Sequence, residues 1–189
     1  TLGARVVTAS RKTSWRAPDG SEHFIVVPDR DALVAAHPVA AVGFFDVPNL
    51  LGVSGEDLPK VSHYYREPYP YTGQHLAVIG AKNSAAKAAL DCYRHGAQVT
   101  MLVRGPELSP KIKYWILPDL QNRIQEGSIG AHFNTRLTAI TPDAVHYTDP
   151  DGPHELPTDW VLALTGYRPD FTFLQTFGIA LADDEWRTP

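Results

Sequence analysis

The residues whose types and spacing could do chemistry lie in His75–Gly105, HLAVIGAKNSAAKAALDCYRHGAQVTMLVRG. A short apolar run ends at Gly80, then come Ala81, Lys82, Asn83, Ser84 and Ala85, and an alanine-rich segment follows. A glycine there lets the chain reverse sharply out of a strand. The first N–H groups of the next helix have no intrahelical partner and face whatever anion approaches. Binding a pyrophosphate also needs a small third residue, so that helix and strand can pack closely, and Ala85 supplies it. Asn83 and Ser84 fall at the helix start, where they can cap the helix or hydrogen-bond phosphate. Lys82 replaces the middle glycine of the usual dinucleotide fingerprint. With a negative φ its side chain turns outward, and its ammonium adds a phosphate contact. A plain packing turn is the competing reading. The clear strand before it and helix after it favour a nucleotide.

The end of the second strand bears on which nucleotide. An NAD site places Asp or Glu there, on the ribose hydroxyls. This chain has Arg104, followed by Lys111 and Lys113. A guanidinium at that point suits a 2′-phosphate, which it can hold bidentately, so NADP(H) is expected. Glu107 is the acid nearby and leaves NAD open, and solvated surface charge is the bland alternative for all three cations. The eight histidines show no metal-ligand spacing, so no metal site is assigned. Cys92 falls among apolar neighbours and reads as a buried thiol. His63, Tyr64 and Tyr65 read as an aromatic cluster packing a connection, with cofactor contact as the second reading. No nucleophile–base spacing appears, and no catalytic residue is assigned.

These residues need elements to position them. HLAVIG (75–80) reads as a strand buried on both faces, 83–95 as a helix stopped by Gly96, and 98–104 as a parallel strand. Together they form a right-handed βαβ unit. Residues 109–128 read as a helix in two parts, kinked or restarted at Pro118. IGAHF is a third strand. Residues 136–157 read as short antiparallel strands with a hairpin at DPDG (149–152), and 159–166 as a last apolar strand. Upstream, ARVVTAS, EHFIVVP and VAAVGFF read as strands, with a turn at APDGSE and a weak helical patch at DRDALVAAH. The stretch 46–73, with Pro48, Pro59, Pro68 and Pro70, reads as an ordered crossover between domains.

The 189 residues allow one generous domain, or one compact domain and part of another. An apolar share of 43% and a charged share of 20% are those of an ordinary soluble protein. A net charge of −4 gives no reason to expect nucleic acid or an anionic membrane as partner. No run approaches the ~18 apolar residues of a membrane span. One cysteine excludes an internal disulfide and a CxxC redox pair, which fits a cytoplasmic setting. The chain opens on Thr1 inside strand-like sequence, as a partial chain would.

Four segments, GFFDVPNLLGVSGEDLPKVSHYYREPYPY, LAVIGAKNSAAKAALDCYRHGAQVTMLVRG, SPKIKYWILPDLQNRI and LALTGYRPD, together resemble the YpdA-type bacillithiol disulfide reductases. These are thioredoxin-reductase-like flavoproteins. The resemblance spans roughly residues 41–175 and is specific through the combination of segments. It implies two Rossmann-like domains, one for FAD and one for NADPH, the second inserted into the first. Hydride would pass from NADPH to flavin, and electrons then to a small-molecule disulfide such as bacillithiol disulfide. Lys82 is similar to the family's own loop. The residues carried over are Gly80, Lys82, Asn83, Ser84 and Ala85 for the pyrophosphate, and Arg104, Lys111 and Lys113 for the 2′-phosphate. Gly166 and Tyr167, in TGYRPD, are implied at the nicotinamide end. AVGFF departs from the family's ATGFF at Val42, and residues 1–40 match poorly.

The expected fold is therefore α/β: a Rossmann-like, three-layer NAD(P)-binding domain with a parallel sheet, helices and an antiparallel β-meander, plus part of a FAD-domain sheet. The expected divisions are 1–72 (FAD-domain strands and crossover), 73–168 (NADPH-binding domain) and 169–189 (return segment). FAD belongs to the full-length protein, with its fingerprint upstream of Thr1, so this chain alone is expected to be colourless and not competent for turnover. Homo-oligomerisation follows by analogy with thioredoxin reductases. A stand-alone NAD(P)-binding or interaction module, and part of a flavin monooxygenase, are the alternatives.

Overall fold

The computed structural model describes residues 9–16, 22–28, 33–35 and 47–168. The chain divides into two compact units, Thr1–Val47 with Pro169–Pro189, and Pro48–Arg168. In the first unit, β1 (Ala9–Arg16), β2 (Glu22–Pro28) and β3 (Leu33–Ala35) form an antiparallel sheet in that order. The helical patch expected over 29–37 is corrected by β3. Phe24 pairs with Ala35 and Val26 with Leu33, and so short an apolar run is too small to nucleate a helix against that pairing. VAAVGFF, the APDGSE turn, residues 4–8 and the return segment 169–189 lie outside the described residues, as does Val42.

The second unit is built on a five-stranded parallel sheet in the order β5-β12-β6-β7-β8. Its strands are β5 (Val61–Ser62), β6 (His75–Ile79), β7 (Gln98–Leu102), β8 (Gly130–His132) and β12 (Trp160–Ala163). Short strands β4 (Val47–Pro48) and β13 (Tyr167–Arg168) pair where the chain enters and leaves this unit. A 3₁₀ turn covers Tyr69–Tyr71. The segment from Pro48 to Thr72, which composition groups with the crossover, folds with this unit because β5 adds an edge strand beside β12.

Each central strand sends alternate residues to two different cores. Leu76 and Val78 of β6, with Val99 and Met101 of β7, face α1 (Asn83–Arg94) and α2 (Leu117–Gln125). Ala77, Ile79 and Leu102 face the meander of β9 (Arg136–Ile140), β10 (Ala144–Asp149) and β11 (Gly152–Pro157), against Ile140, Val145 and Tyr147. Three layers result: helices, sheet and meander. Ala85, Ala86, Ala88 and Ala89 are fully buried, so α1 presents a face of methyl groups and can lie close on the sheet. Gly96, at φ +87°, ends α1 with Ala97 N donating to Cys92 O at 3.0 Å.

The two-part helix over 109–128 is half corrected. Leu117–Gln125 is helical with Pro118 in its first turn, but 109–116 is a run of turns. Pro110 has no N–H to give, and the neighbouring amides are taken locally. Ile112 N donates to Ser109 O at 3.1 Å, Lys111 N to Ser109 Oγ at 3.3 Å, and Ile116 N to Lys113 O at 2.8 Å.

Candidate functional site

In an open parallel sheet, ligands bind outside the carboxyl ends of the strands, where the strand order reverses. Here that point lies between β6 and β12: the chain goes from β6 to β7 on one side and only later returns to β12 on the other. Gly80 closes β6 at this point. Its φ is +144°, and a Cβ there would stand 2.6 Å from the Leu164 carbonyl oxygen and 3.1 Å from Ala85 Cβ. Leu164 N in turn donates to Ile79 O at 2.9 Å. With no side chain at Gly80, the end of β6 packs directly on the Leu164 backbone and on Ala85, and these form the crevice floor.

The turn then delivers α1 N-terminus first. Lys82 is the N-cap at φ −113°, the negative φ that turns its exposed side chain outward, and it makes no side-chain cap. Ala86 N donates to Lys82 O at 2.9 Å, the first bond of the helix. Among the described residues the amides of Asn83, Ser84 and Ala85 have no acceptor, so three N–H groups face the crevice. Ser84 is exposed and Ala85 is fully buried beneath the turn.

Asn83 behaves differently from the expected cap or phosphate donor. Its Nδ2 donates to Lys111 O at 3.1 Å, and its Oδ1 accepts from Lys113 N at 2.9 Å. Ser109 N also donates to Ala81 O at 3.0 Å. Three hydrogen bonds therefore bind the loop of turns to the glycine turn. Buried Ile112 anchors the loop in the core, which leaves Lys111 and Lys113 on either side of it exposed. Sequence reading found the two lysines but not what fastens them, because an asparagine at a helix start signals a cap.

Arg104 follows β7 and is exposed, one strand over from Gly80, since Ile79 pairs with Leu102. Its loop is braced from below: Asn134, at φ +54°, donates N–H to Gly105 O at 2.8 Å, and Thr135 N to Val103 O at 3.0 Å. Beyond the loop lysines, Tyr114 and Trp115 are 82% and 60% exposed, and Lys113 Nζ sits 5.2 Å over the Trp115 ring.

At the other side of the crevice, Gly166 has φ +111° and its carbonyl accepts from Asn49 N at 2.9 Å. Tyr167 donates its hydroxyl to His63 O at 2.6 Å, and its ring stacks on Tyr64 at 5.4 Å. Burial raises the Tyr167 hydroxyl pKa, with the neighbouring Tyr64 adding to it. Of the aromatic cluster, Tyr64 thus supports Tyr167, and His63 does so through its carbonyl. Tyr65 instead donates to Asp91 Oδ2 at 2.6 Å and packs on the helix-side core. Cys92 is fully buried, and burial pushes its thiol up to about 11, which fits an inert core thiol. Among the described residues no group of His, Cys, Asp and Glu could hold a metal, and no helix is long and apolar enough to cross a membrane.

Residues 15–189 match the family model of the pyridine nucleotide-disulphide oxidoreductases. The chain is 40% identical over 167 residues to bacilliredoxin reductase Bdr of Bacillus subtilis (strain 168), covering 87% of this chain and 51% of that protein. A solved bacillithiol disulfide reductase Bdr (YpdA) from Staphylococcus aureus superposes with a TM-score of 0.79 at 39% identity, over 87% of this chain and 51% of the other. The thioredoxin reductase of T. acidophilum shares the fold, with a TM-score of 0.66 at 22% identity, over 92% of this chain and 58% of the other. The chain spans about half the length of the curated relatives it matches.

Proposed function

Because the chain belongs to the pyridine nucleotide-disulphide oxidoreductase family, we propose that it is the NADPH-binding portion of a flavin-dependent reductase of a small disulfide, bacillithiol disulfide being the favoured substrate. The observation that carries the reading is the glycine turn at Gly80, set at the strand-order reversal and followed by three helix amides that have no acceptor among the described residues. A dinucleotide's pyrophosphate fits there, because it needs close backbone approach and donors in place of side chains.

On this reading the amides of Asn83, Ser84 and Ala85 bind the pyrophosphate, and Lys82 adds a positive charge in front of it. Arg104 holds the 2′-phosphate, with Lys111 and Lys113 neutralising it from the opposite loop. Gly166, which follows β12 and packs on the Asn49 side chain, lies where the nicotinamide would bind, and Tyr167 borders it. The Tyr167 ring is fixed from two sides, by the His63 carbonyl and by the Tyr64 face, so it does not swing into the crevice. The nicotinamide supplies a hydride, and a disulfide that takes up two electrons and two protons is cleaved to two thiols. The described residues form one strand–glycine–helix turn, assigned here to NADPH. The flavin's own phosphate turn is not formed by them. The similarity to bacilliredoxin reductase and to the staphylococcal bacillithiol disulfide reductase supports the choice of substrate.

The test uses the flavin-loaded protein, following NADPH oxidation and thiol release with bacillithiol disulfide and with glutathione disulfide. Two thiols per NADPH, with bacillithiol disulfide preferred, is the expected outcome. Arg104→Glu should lower the preference for NADPH over NADH by about 10- to 100-fold, since a charge-assisted contact of that kind is worth about 1.5–3 kcal/mol. Oxidation without thiol release, or an unchanged nucleotide preference in Arg104→Glu, sinks the reading.

A further inference from the structure

The Asn83 side chain spends its polar atoms on the backbone of the neighbouring loop. Its donor holds Lys111 O and its acceptor holds Lys113 N. An amide is the side chain that can do both, because it carries a donor and an acceptor in one plane. Neither atom makes a helix cap. The residue is only partly buried, so these bonds are not forced on it by burial. The segment it holds is a run of turns with its own local bonds, anchored in the core by Leu108 and Ile112; the Ser109–Ala81 bond and the Asn83 side chain tie its backbone to the glycine turn and α1.

We infer that Asn83 is a latch that sets nucleotide selectivity: it fixes the lysine-bearing loop beside the α1 N-terminus, so that Lys111 and Lys113 meet a 2′-phosphate already in place. This inference rests on the NADPH reading above and assigns Asn83 a positioning role within it. Long lysine side chains on an unlatched loop would have to be ordered on each binding event. Latching the backbone removes part of that entropy before the ligand arrives. The pyrophosphate is common to both nucleotides and is met by backbone amides that Asn83→Ala keeps, since alanine is readily accommodated in a helix. Loss of the latch should therefore be felt by the 2′-phosphate alone.

The experiment measures calorimetric binding of NADP+, NAD+ and 2′,5′-ADP to the protein, since oxidised nucleotides bind without turnover. Asn83→Ala should weaken NADP+ and 2′,5′-ADP by about tenfold, the loss of two hydrogen bonds' worth of ordering, and leave NAD+ within about twofold. In a double-mutant cycle, removing Lys111 and Lys113 together should cost much less in Asn83→Ala than in the parent, because the latch acts through them. Equal weakening of NADP+ and NAD+ overturns the inference, since Asn83 would then serve the shared pyrophosphate. Strict additivity overturns it too. Lys111→Ala/Lys113→Ala alters exposed side chains and does not depend on Asn83→Ala folding. If that variant keeps the parent's ratio of NADP+ to NAD+ affinity, there is nothing for a latch to position. A parent protein that binds both nucleotides equally fails earlier, and overturns the NADPH reading together with the latch.

Discussion

Substituting Gly80 by alanine tests the crevice floor directly. Gly80 has φ +144°, a backbone region that costs a residue with a Cβ about 1–3 kcal/mol. The new methyl would begin 2.6 Å from Leu164 O, far inside ordinary contact, and that oxygen is backbone and cannot swing away. Relief requires β12 to move off β6 at its end, which strains the Leu164 N to Ile79 O bond at 2.9 Å and forfeits roughly 1 kcal/mol more. Gly80→Ala should therefore destabilise the protein by about 2–4 kcal/mol and lower its thermal midpoint by on the order of 10 °C. The displaced floor also moves the three free amides, so NADP+ and NAD+ should both weaken by at least about tenfold. Denaturant unfolding followed by far-UV circular dichroism reports the first effect, and calorimetric titration the second. A variant within about 0.5 kcal/mol of the parent, binding nucleotide as the parent does, would refute the claim that this turn requires a glycine.

Two further outcomes are expected. Lys82→Gly should weaken NADP+ and NAD+ alike by a few-fold at low ionic strength, and the difference should vanish in about 0.5 M salt; unchanged affinity at low salt means that the exposed ammonium is a bystander. Burial raises the Cys92 thiol from 9.0 to about 11, so the fold favours the protonated form. That contribution is whole below pH 9.0, where folded and unfolded thiols are both protonated, and is lost as pH rises through about 11. Stability measured against pH should therefore fall more steeply in the parent than in Cys92→Ala over that interval, and parallel curves would contradict it.

The central βαβ unit is legible in the sequence because its signals are local and agree. LAVI, residues 76–79, is apolar throughout because β6 has a core on each face, and the alanines of α1 mark close packing. The turn residues of the site are legible for the same reason. What escapes are features decided by distant partners. β5 is two residues long and exists only because β12 lies beside it. Residues 109–116 open like a helix, with Ser109 placed to cap and Pro110 next, yet the Lys113 amide that would continue it onto Ser109 O goes to Asn83 Oδ1 instead. The Asn83 clamp joins positions about thirty residues apart, and nothing periodic announces it. The Asn49–Gly166 bond is farther still along the chain and equally silent.

That last bond has a consequence for how the unit from Pro48 to Arg168 sits in the chain's connectivity. Its entry and exit strands run side by side, closed by Asn49 N on Gly166 O at 2.9 Å. The two ends of this unit therefore adjoin, however long the chain between them. The entropy lost in closing a loop grows with the freedom of the chain that must be closed, and a folded insert with adjoining ends leaves little to lose.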